Sequence, residues 1–158
     1  MAHPQALFEQ ARNAFNSIQI SKGQVVTIAT CDAEGVPDLA PIGSMRVVDE
    51  HTVHVLQGFL PRTLRNLKIN PKAAFSVTLP PTTLGSFKTI LGKDANAPLG
   101  YRMYCELTSI EEEQALVQSE ARELTKRAPL LLRGAFLRFC ERNLKRLLRF
   151  RIVEVRPT

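Results

Sequence analysis

The chain has 158 residues, of which 44% are hydrophobic and 23% charged, as is ordinary for one globular domain with a buried core. Its three cysteines, far apart and odd in number, argue against a disulfide framework or a zinc site and favour a reducing cytoplasm. The net charge of +6 argues against a fold that binds nucleic acid over its whole surface, because it is confined to one end. Residues 121–158 hold 11 basic and 3 acidic side chains, whereas residues 1–120 hold 10 and 12.

Two further classes are disfavoured by the sequence. The first residues lack the basic-then-apolar layout of a signal peptide, and no apolar run reaches the roughly 20 residues that span a bilayer. His51 and His54 are spaced for neither one helix face nor one strand face, so they do not indicate a metal site. We therefore expect a soluble cytoplasmic protein without a bound metal.

The first half of the chain predicts a helix followed by an antiparallel meander. Apolar residues at helical intervals predict an amphipathic helix over residues 3–19. Three strands are predicted over 25–30, 39–48 and 53–56, separated by turns rich in Gly, Pro and polar residues. Strands so close in sequence are expected to pair with their neighbours.

The second half predicts further strands and two helices. Strands are expected over 72–79, 86–91 and 101–110. Ser109 is the expected N-cap of a helix whose first turn holds three glutamates, where the helix dipole favours them. An apolar stripe then predicts a second helix over 134–149.

Together these elements predict one mainly β domain over residues 1–158, a six- to seven-stranded antiparallel barrel with helices packed outside it. Its expected parts are an N-terminal helix at 3–19, a barrel at 24–110, C-terminal helices at 111–149 and a closing strand at 150–156.

The stretch LPRTLRNL, residues 60–67, predicts a short helix with an unusual start. Pro61 suits a first helical position, and the pair Asn70-Pro71 ends the run. No Ser, Thr, Asp or Asn precedes Pro61 to cap the free backbone N–H groups, and Arg62 occupies the first turn, where a cation is mildly unfavourable.

A bound phosphate would explain this start. The free N–H groups, the guanidinium fork of Arg62 and the hydroxyl of Thr63 together suit an anion, which would act as the missing cap. The alternative is that Arg62 is simply solvated and that Thr63 caps a shorter helix. The sequence contains no GxSxG, P-loop, HExxH or Rossmann glycine motif, so in an enzyme the reactivity would come from a cofactor.

Several short patterns occur in order around this helix: a strand ending in Thr, a D-x-x-G-x-P turn, two strands, then R-T, N-L and N-P. With these patterns, residues 25–77 resemble the pyridoxamine 5′-phosphate oxidase-like family of flavin-binding split β-barrels. The matching residues are Thr30, Asp32, Gly35 and Pro37, MRVV at 45–48, LQG at 56–58, RT at 62–63, NL at 66–67 and NP at 70–71. The final RIVEVRP is similar to the closing barrel strand of this family.

The resemblance implies a homodimer with FMN in two grooves at the subunit interface. Arg62 and Thr63 would hold the phosphate, helped by Arg46, while the backbone of residues 46–48 would follow the isoalloxazine edge. Gln57 would lie beside the ring or the ribityl chain. The implied cofactor-binding residues are Arg46, Val47, Val48, Gln57, Gly58, Arg62, Thr63 and Asn66, of which Asn66 is expected to brace the loop.

Two departures argue against a true pyridoxamine phosphate oxidase. The oxidases proper carry a Lys after the flavin-facing strand, where this chain has Val48, Asp49 and Glu50. Their C-terminal substrate motif contains His, which is lacking in RIVEVRPT. Related members use the deazaflavin F420 in the same groove, so F420 is an alternative cofactor.

Three functions stay open at this point. The first is a flavin-dependent oxidoreductase, and the second is a non-catalytic binder of flavin, F420 or a haem-like ligand. The third is a binder of anionic partners through the basic residues of 133–151. For that third function nucleic acid is disfavoured, because Phe136, Phe139 and Phe150 suit burial better than stacking. A membrane surface is also disfavoured, and it would require exposed Leu and Phe.

Overall fold

The computed structural model describes residues 4–18, 24–79 and 98–158. The strand predicted over 86–91 lies outside these ranges. Within them the chain forms four α-helices and seven strands. The helices are α1 (Pro4–Asn16), α2 (Pro61–Ile69), α3 (Gln114–Thr125) and α4 (Arg133–Asn143), with a short 3-10 helix at Leu130–Leu132; the strands are β1 (Val26–Cys31), β2 (Pro37–Ile42), β3 (Met45–Val47), β4 (Thr52–Gln57), β5 (Lys72–Thr78), β6 (Gly100–Glu111) and β7 (Arg146–Pro157).

The seven strands form one antiparallel sheet in the order β2-β1-β5-β6-β7-β4-β3. The two edge strands, β2 and β3, are nevertheless consecutive in the chain, and only Gly43 and Ser44 join them. Because a link of two residues can bridge only a short distance, the sheet must curl until its edges meet. The predicted mainly β antiparallel split barrel is therefore confirmed.

The single strand predicted over 39–48 is wrong, because the chain leaves one sheet edge at Ile42 and joins the other at Met45. Ser44 fixes this crossing. Its hydroxyl donates to the carbonyl of Leu56 at 2.5 Å, and its carbonyl accepts from the N–H of Leu56 at 3.1 Å. β2 then pairs with β1 and β3 with β4, so the two halves of the predicted strand lie in different ladders.

The barrel core follows from the alternation of apolar residues along the strands. Val26 and Ile28 of β1 point into the core, as do alternate residues of β5 and β6. The rings of Phe75 and Phe150 meet edge to face with centroids 5.1 Å apart. α1 closes this core with Phe15, which is fully buried.

α1 also covers the free edge of β3. The Asn16 side chain donates from Nδ2 to the carbonyl of Val47 and accepts the N–H of Val47 at Oδ1, both at 2.9 Å. Arg12 donates to the carbonyl of Val48 at 3.3 Å. Side chains of a helix thus supply the hydrogen bonds that a further strand would supply, and the edge is not left open.

Ser109 is not a helix N-cap, as the sequence predicted, because β6 continues through Glu111 and α3 begins only at Gln114. The cause is pairing with β7, in which Glu111 lies opposite Leu147. The residue that does occupy the N-cap position, Glu113, makes no side-chain capping bond.

The helix predicted over 134–149 is also too long. α4 ends at Asn143, and β7 begins at Arg146. Leu147 and Leu148 are both buried but on opposite faces, Leu148 in the barrel core and Leu147 beneath α3 and α4. A strand buried on both faces has a nearly continuous apolar pattern, which a helix can match equally well over a short run.

This correction divides the expected basic helix. Arg146 and Arg149 lie in β7, where their guanidinium groups face Glu112 at 2.6 Å and Glu111 at 4.0 Å. The chain therefore does not present one continuous basic helix face over 133–151.

The contact between α1 and β3 gives a test of the fold. We expect Asn16→Ala to lower the free energy of unfolding by about 1–3 kcal/mol, because both backbone groups of Val47 lose their partner. Asn13→Ala changes the same residue type on an exposed part of α1 and should have little effect. Urea unfolding followed by circular dichroism measures both variants. Equal stability of the two would show that the Asn16 contacts do not hold the edge.

Candidate functional site

A cleft of about 210 Å³ lies where the two edges of the sheet meet. One wall is the crossing between β2 and β3, residues 41–44, and another is the segment from β4 into α2, residues 57–60. α3 and α4 supply the third wall through Leu124, Phe136, Phe139, Cys140 and Leu144. The cleft thus exists because the sheet curls and the C-terminal helices cover the seam.

The start of α2 adjoins this cleft, because Leu60 both lines the cleft and occupies the N-cap position. Leu60 makes no side-chain capping bond, Pro61 follows it, and the first turn has no acidic residue. The N–H of Leu64 bonds the Leu60 carbonyl at 3.0 Å, so the helix begins before Thr63. The prediction of an uncapped start is confirmed, and the alternative that Thr63 caps a shorter helix is wrong.

The two residues expected to bind phosphate occupy this first turn but differ in exposure. The Arg62 side chain is 55% exposed and lies 3.5 Å from the carboxylate of Asp38 on β2. Thr63 is only 3% exposed. The N–H groups of a first turn have no partner inside the helix. The turn therefore offers donors and a half-exposed cation, for which an arriving anion would compete with Asp38.

Asn66 holds α2 against the barrel. It is fully buried, and its Nδ2 donates to the hydroxyl of Thr30, at the end of β1, at 3.1 Å. Its Oδ1 has no hydrogen-bond partner within the described ranges. The observed bond thus joins α2 to the end of β1, and the bracing of the loop by Asn66 stays a prediction.

Gln57 lines the cleft and carries an unsatisfied polar atom. The side chain is 3% exposed, and its Oε1 is buried without a hydrogen-bond partner in the part of the chain that the structure describes. The backbone carbonyl of Gln57 accepts from Lys145 at 3.0 Å, so this residue also joins β4 to the start of β7. A buried acceptor without a donor costs about 1–3 kcal/mol. A ligand N–H in the cleft would remove that cost.

Gly58 has a packing role. A Cβ on this residue would lie 1.9 Å from the carbonyl oxygen of Asn143, at the end of α4. Only glycine allows this approach of two backbone segments. Gly58 therefore sets the shape of the cleft by letting α4 close over it.

The structure gives Arg46, Val47 and Val48 partners outside the cleft. Both backbone groups of Val47 are bonded to Asn16, and the Val48 carbonyl accepts from Arg12. The crossing at 41–44 lines this cleft, and the contact of residues 46–48 with a flavin edge stays a prediction. The sequence signal for this wall is Gly43-Ser44, which interrupts an otherwise strand-like run.

Arg46 belongs to a buried polar network. Its Nε and Nη2 donate to the two oxygens of Glu120 on α3 at 2.5 and 2.7 Å, and Nδ1 of His54 lies 2.7 Å from Oε2 of Glu120. Burial by itself would raise the pKa of Glu120. The hydrogen bonds from Arg46 and His54 outweigh burial and lower that pKa from 4.5 to about 2.

Two aromatic residues at the cleft were not assigned to it from the sequence. Phe59 and Phe139 are 58% and 51% exposed, and their ring centroids are 6.1 Å apart. The expectation that Phe139 is buried is wrong. Its place beside Phe59 depends on the docking of α4, for which the local sequence holds no signal.

The sequence profile described as pyridoxamine 5′-phosphate oxidase matches residues 13–158, which include every wall of the cleft. The chain belongs to the pyridoxamine 5′-phosphate oxidase family. A search of curated proteins gave no match.

Solved structures with this family's fold bind different ligands. An FMN-binding protein from Syntrophomonas wolfei superposes with a TM-score of 0.67 at 24% identity, covering 98% of this chain and 88% of that one. An F420 reductase matches with a TM-score of 0.57 at 15% identity, covering 91% and 94%. HutZ, a haem storage protein from Vibrio cholerae, matches with a TM-score of 0.58 at 14% identity, covering 97% and 90%. At these identities the likeness establishes the fold alone.

Two features are absent from residues 4–18, 24–79 and 98–158. No helix there is long and apolar enough to cross a membrane. No group of three or more His, Cys, Asp or Glu side chains there is arranged to hold a metal ion.

The Glu120 network predicts acid sensitivity in this family member. Its pKa is lower in the folded chain than the ordinary 4.5, so the carboxylate stabilises the fold above pH 4.5. That contribution, about 3 kcal/mol, is lost as the pH falls from about 5 to 2. We expect Glu120→Gln to be less stable at pH 7 and to lose less stability on acidification than the parent chain. Urea unfolding between pH 7 and 2.5 measures both.

The control is Glu113→Gln, an exposed acid that makes no capping bond. It should keep the acid sensitivity of the parent chain. An equally steep loss of stability in Glu120→Gln would show that Glu120 is not the group responsible.

Proposed function

We propose that the chain binds FMN in the cleft, with the phosphate on the first turn of α2 and the ring beside Gln57. The observation that carries this proposal is the uncapped start of α2 next to a cleft with an orphaned acceptor. Family membership and the likeness to an FMN-binding protein support it.

The phosphate argument rests on charge and donors. A helix N-terminus carries about half a positive charge, and its free N–H groups bind anions. Arg62 adds a guanidinium that can hold two phosphate oxygens, and its present partner Asp38 lies at 3.5 Å, a loose contact. A phosphate dianion would therefore draw Arg62 away from Asp38.

The ring argument rests on the wall of the cleft. An isoalloxazine ring carries an N–H donor between two carbonyl groups, which suits the unsatisfied Oε1 of Gln57. The exposed rings of Phe59 and Phe139 would be covered by a flat aromatic ligand, which recovers apolar contact area.

F420 is the alternative cofactor, since an F420 reductase shares the fold. Haem is less well supported. The lining residues of the cleft, as far as the chain is described, include no histidine, which is a common haem ligand. Cys140 does line the cleft, but burial raises its pKa and keeps the thiol protonated.

We further propose that the protein is a flavin-dependent oxidoreductase. A bound flavin would supply hydride or electron transfer. The lining residues of the cleft in the described ranges include no carboxylate and no histidine, so the chain itself would bind, orient and shield the cofactor. Steady-state oxidation of NADH or NADPH by the FMN-loaded protein with an added acceptor tests this. Reduction without turnover would instead indicate a flavin carrier.

A homodimer is also part of the proposal. A cleft of about 210 Å³ is small beside ligand pockets of roughly 300–1,000 Å³. A second copy would supply the missing walls. The outer face of β1, β5, β6 and β7 holds the small residues Ala29 and Ala74 beside Val153, which is 60% exposed. This face reaches Thr30, which contacts α2 through Asn66.

We expect Arg62→Ala to weaken FMN binding by about 1.5–3 kcal/mol, roughly ten- to a hundredfold in Kd, because a charged hydrogen-bond partner of the phosphate is lost. Arg65→Ala removes an exposed arginine from the same helix and should leave Kd unchanged. Quenching of flavin fluorescence measures both, with F420 titrated in parallel. Equal affinity of the two variants would exclude the phosphate assignment.

Val153→Glu is expected to separate the homodimer, because it would bury an additional charge in the face assigned to the interface. Leu131→Glu, at a site 96% exposed far from that face in sequence, is the control and should not change the assembly. Sedimentation velocity at several concentrations gives the mass. A monomeric parent chain, or a dimeric Val153→Glu, would contradict this interface.

A further inference from the structure

A second and larger cavity, of about 520 Å³, adjoins the cleft. The two share Gly43, Leu124 and Phe136 in their walls, so they are neighbouring spaces. The larger cavity extends toward the segment between α3 and α4. Neither the family assignment nor the flavin proposal accounts for this space.

One wall of this cavity carries a largely buried cation without a carboxylate bonded to it. The guanidinium of Arg127 donates to the carbonyl of Met45 at 2.7 Å and to Oδ1 of Asn16 at 2.9 Å, which are both neutral acceptors. Glu120 is close enough to act on Arg127, but its oxygens are already engaged by Arg46 and His54. The positive charge of Arg127 is therefore held at the wall by geometry and is not neutralised by a direct ion pair.

A second cation lines the same cavity. Arg133, at the start of α4, donates to the carbonyls of Ala128 and Lys126 at 3.1 and 3.0 Å. These contacts fold the connecting segment around the guanidinium, and no carboxylate of the described residues forms an ion pair with it. Lys126 also lines the cavity and pairs with Glu123 at the surface.

The rest of the lining is apolar. Leu130 and Leu132 face the cavity and are 77% and 55% exposed, and Phe136 separates it from the cleft. Apolar area left in water costs roughly 25 cal/mol per Å² relative to burial. No acidic residue is in the lining among the described residues. The cavity thus combines apolar walls with a net positive edge, which complements an apolar molecule carrying a negative group.

We propose that this cavity binds an apolar carboxylic acid, with its carboxylate on Arg127 and Arg133 and its apolar body against Leu130, Leu132 and Phe136. The binding of this acid does not rest on the proposed function, because it depends on a different cavity and on different charged residues.

The test compares two probes of the same shape. 1-Naphthaleneacetate carries the carboxylate, and 1-naphthaleneacetamide is its neutral analogue. Calorimetric titration of the full chain should show the acid binding at least about tenfold more tightly than the amide, as expected for charge-assisted hydrogen bonds. Equal affinity of the two probes, or no binding of the acid at millimolar concentration, would overturn the proposal.

Two variants assign the site. Arg133→Gln should weaken binding of the acid severalfold and leave binding of the amide unchanged, because Arg127 still holds the carboxylate, whereas Arg138→Gln, further along α4 and outside the lining, should leave both unchanged. Ala128→Trp fills the cavity and should abolish binding of both probes. Thermal unfolding checks that each variant is folded. Unchanged binding of the acid in folded Arg133→Gln or Ala128→Trp would place it elsewhere and refute the site.

FMN titrations separate this proposal from the flavin proposal. Arg133→Gln should keep the FMN affinity of the parent chain, and Arg62→Ala should keep its affinity for naphthaleneacetate. A chain that binds the acid but not FMN would refute the proposed flavin function and leave this pocket standing. A chain that binds FMN but not the acid would refute the acid-binding pocket and leave the flavin proposal standing.

Discussion

The two-residue crossing from β2 to β3 is the constraint on which the rest of the structure depends. Gly43 and Ser44 must connect opposite edges of a seven-stranded sheet, and such a short link leaves the sheet no geometry other than a closed curl. The hydroxyl and carbonyl of Ser44 both bond Leu56, so the crossing is held against β4. Both cavities border this crossing, and their position follows from it.

The curl brings the edge strands β2 and β3 together, and helices cover the line where they meet. Polar contacts hold these helices in place. Asn16 satisfies β3 from α1, and Glu120 on α3 binds Arg46 and His54 from neighbouring strands. Burying a carboxylate with two such partners costs desolvation free energy, and removing one partner would cost more because a charge would be left buried and unpaired. Once formed, these contacts orient α3, and the segment that follows α3 carries Arg127 into the wall of the larger cavity.

Several groups beside the β2–β3 crossing have no charged or capping partner among the described residues. The first turn of α2 has no side-chain cap, and Oε1 of Gln57, a residue that lines the cleft, has no hydrogen-bond partner. Around the larger cavity, the hydrogen bonds of Arg127 and Arg133 go to neutral acceptors. The first two features suit a phosphorylated ring, and the last two suit a carboxylate. We therefore propose two anion-binding positions of different character beside one crossing.

Local patterns in the sequence determined the elements of the first half, apart from the break between β2 and β3, and the uncapped start of α2. Both depend on residues within a few positions of one another: the apolar period of a strand or helix, and the absence of a capping side chain before Pro61. Tertiary structure decided what those patterns left open. Leu147 and Leu148 are strand residues because β4 and β6 pair with them, and a local apolar run cannot distinguish that from a helix. Residues 41–44 line the cleft because strands distant in sequence set the curl, and with it the face that each backbone group presents.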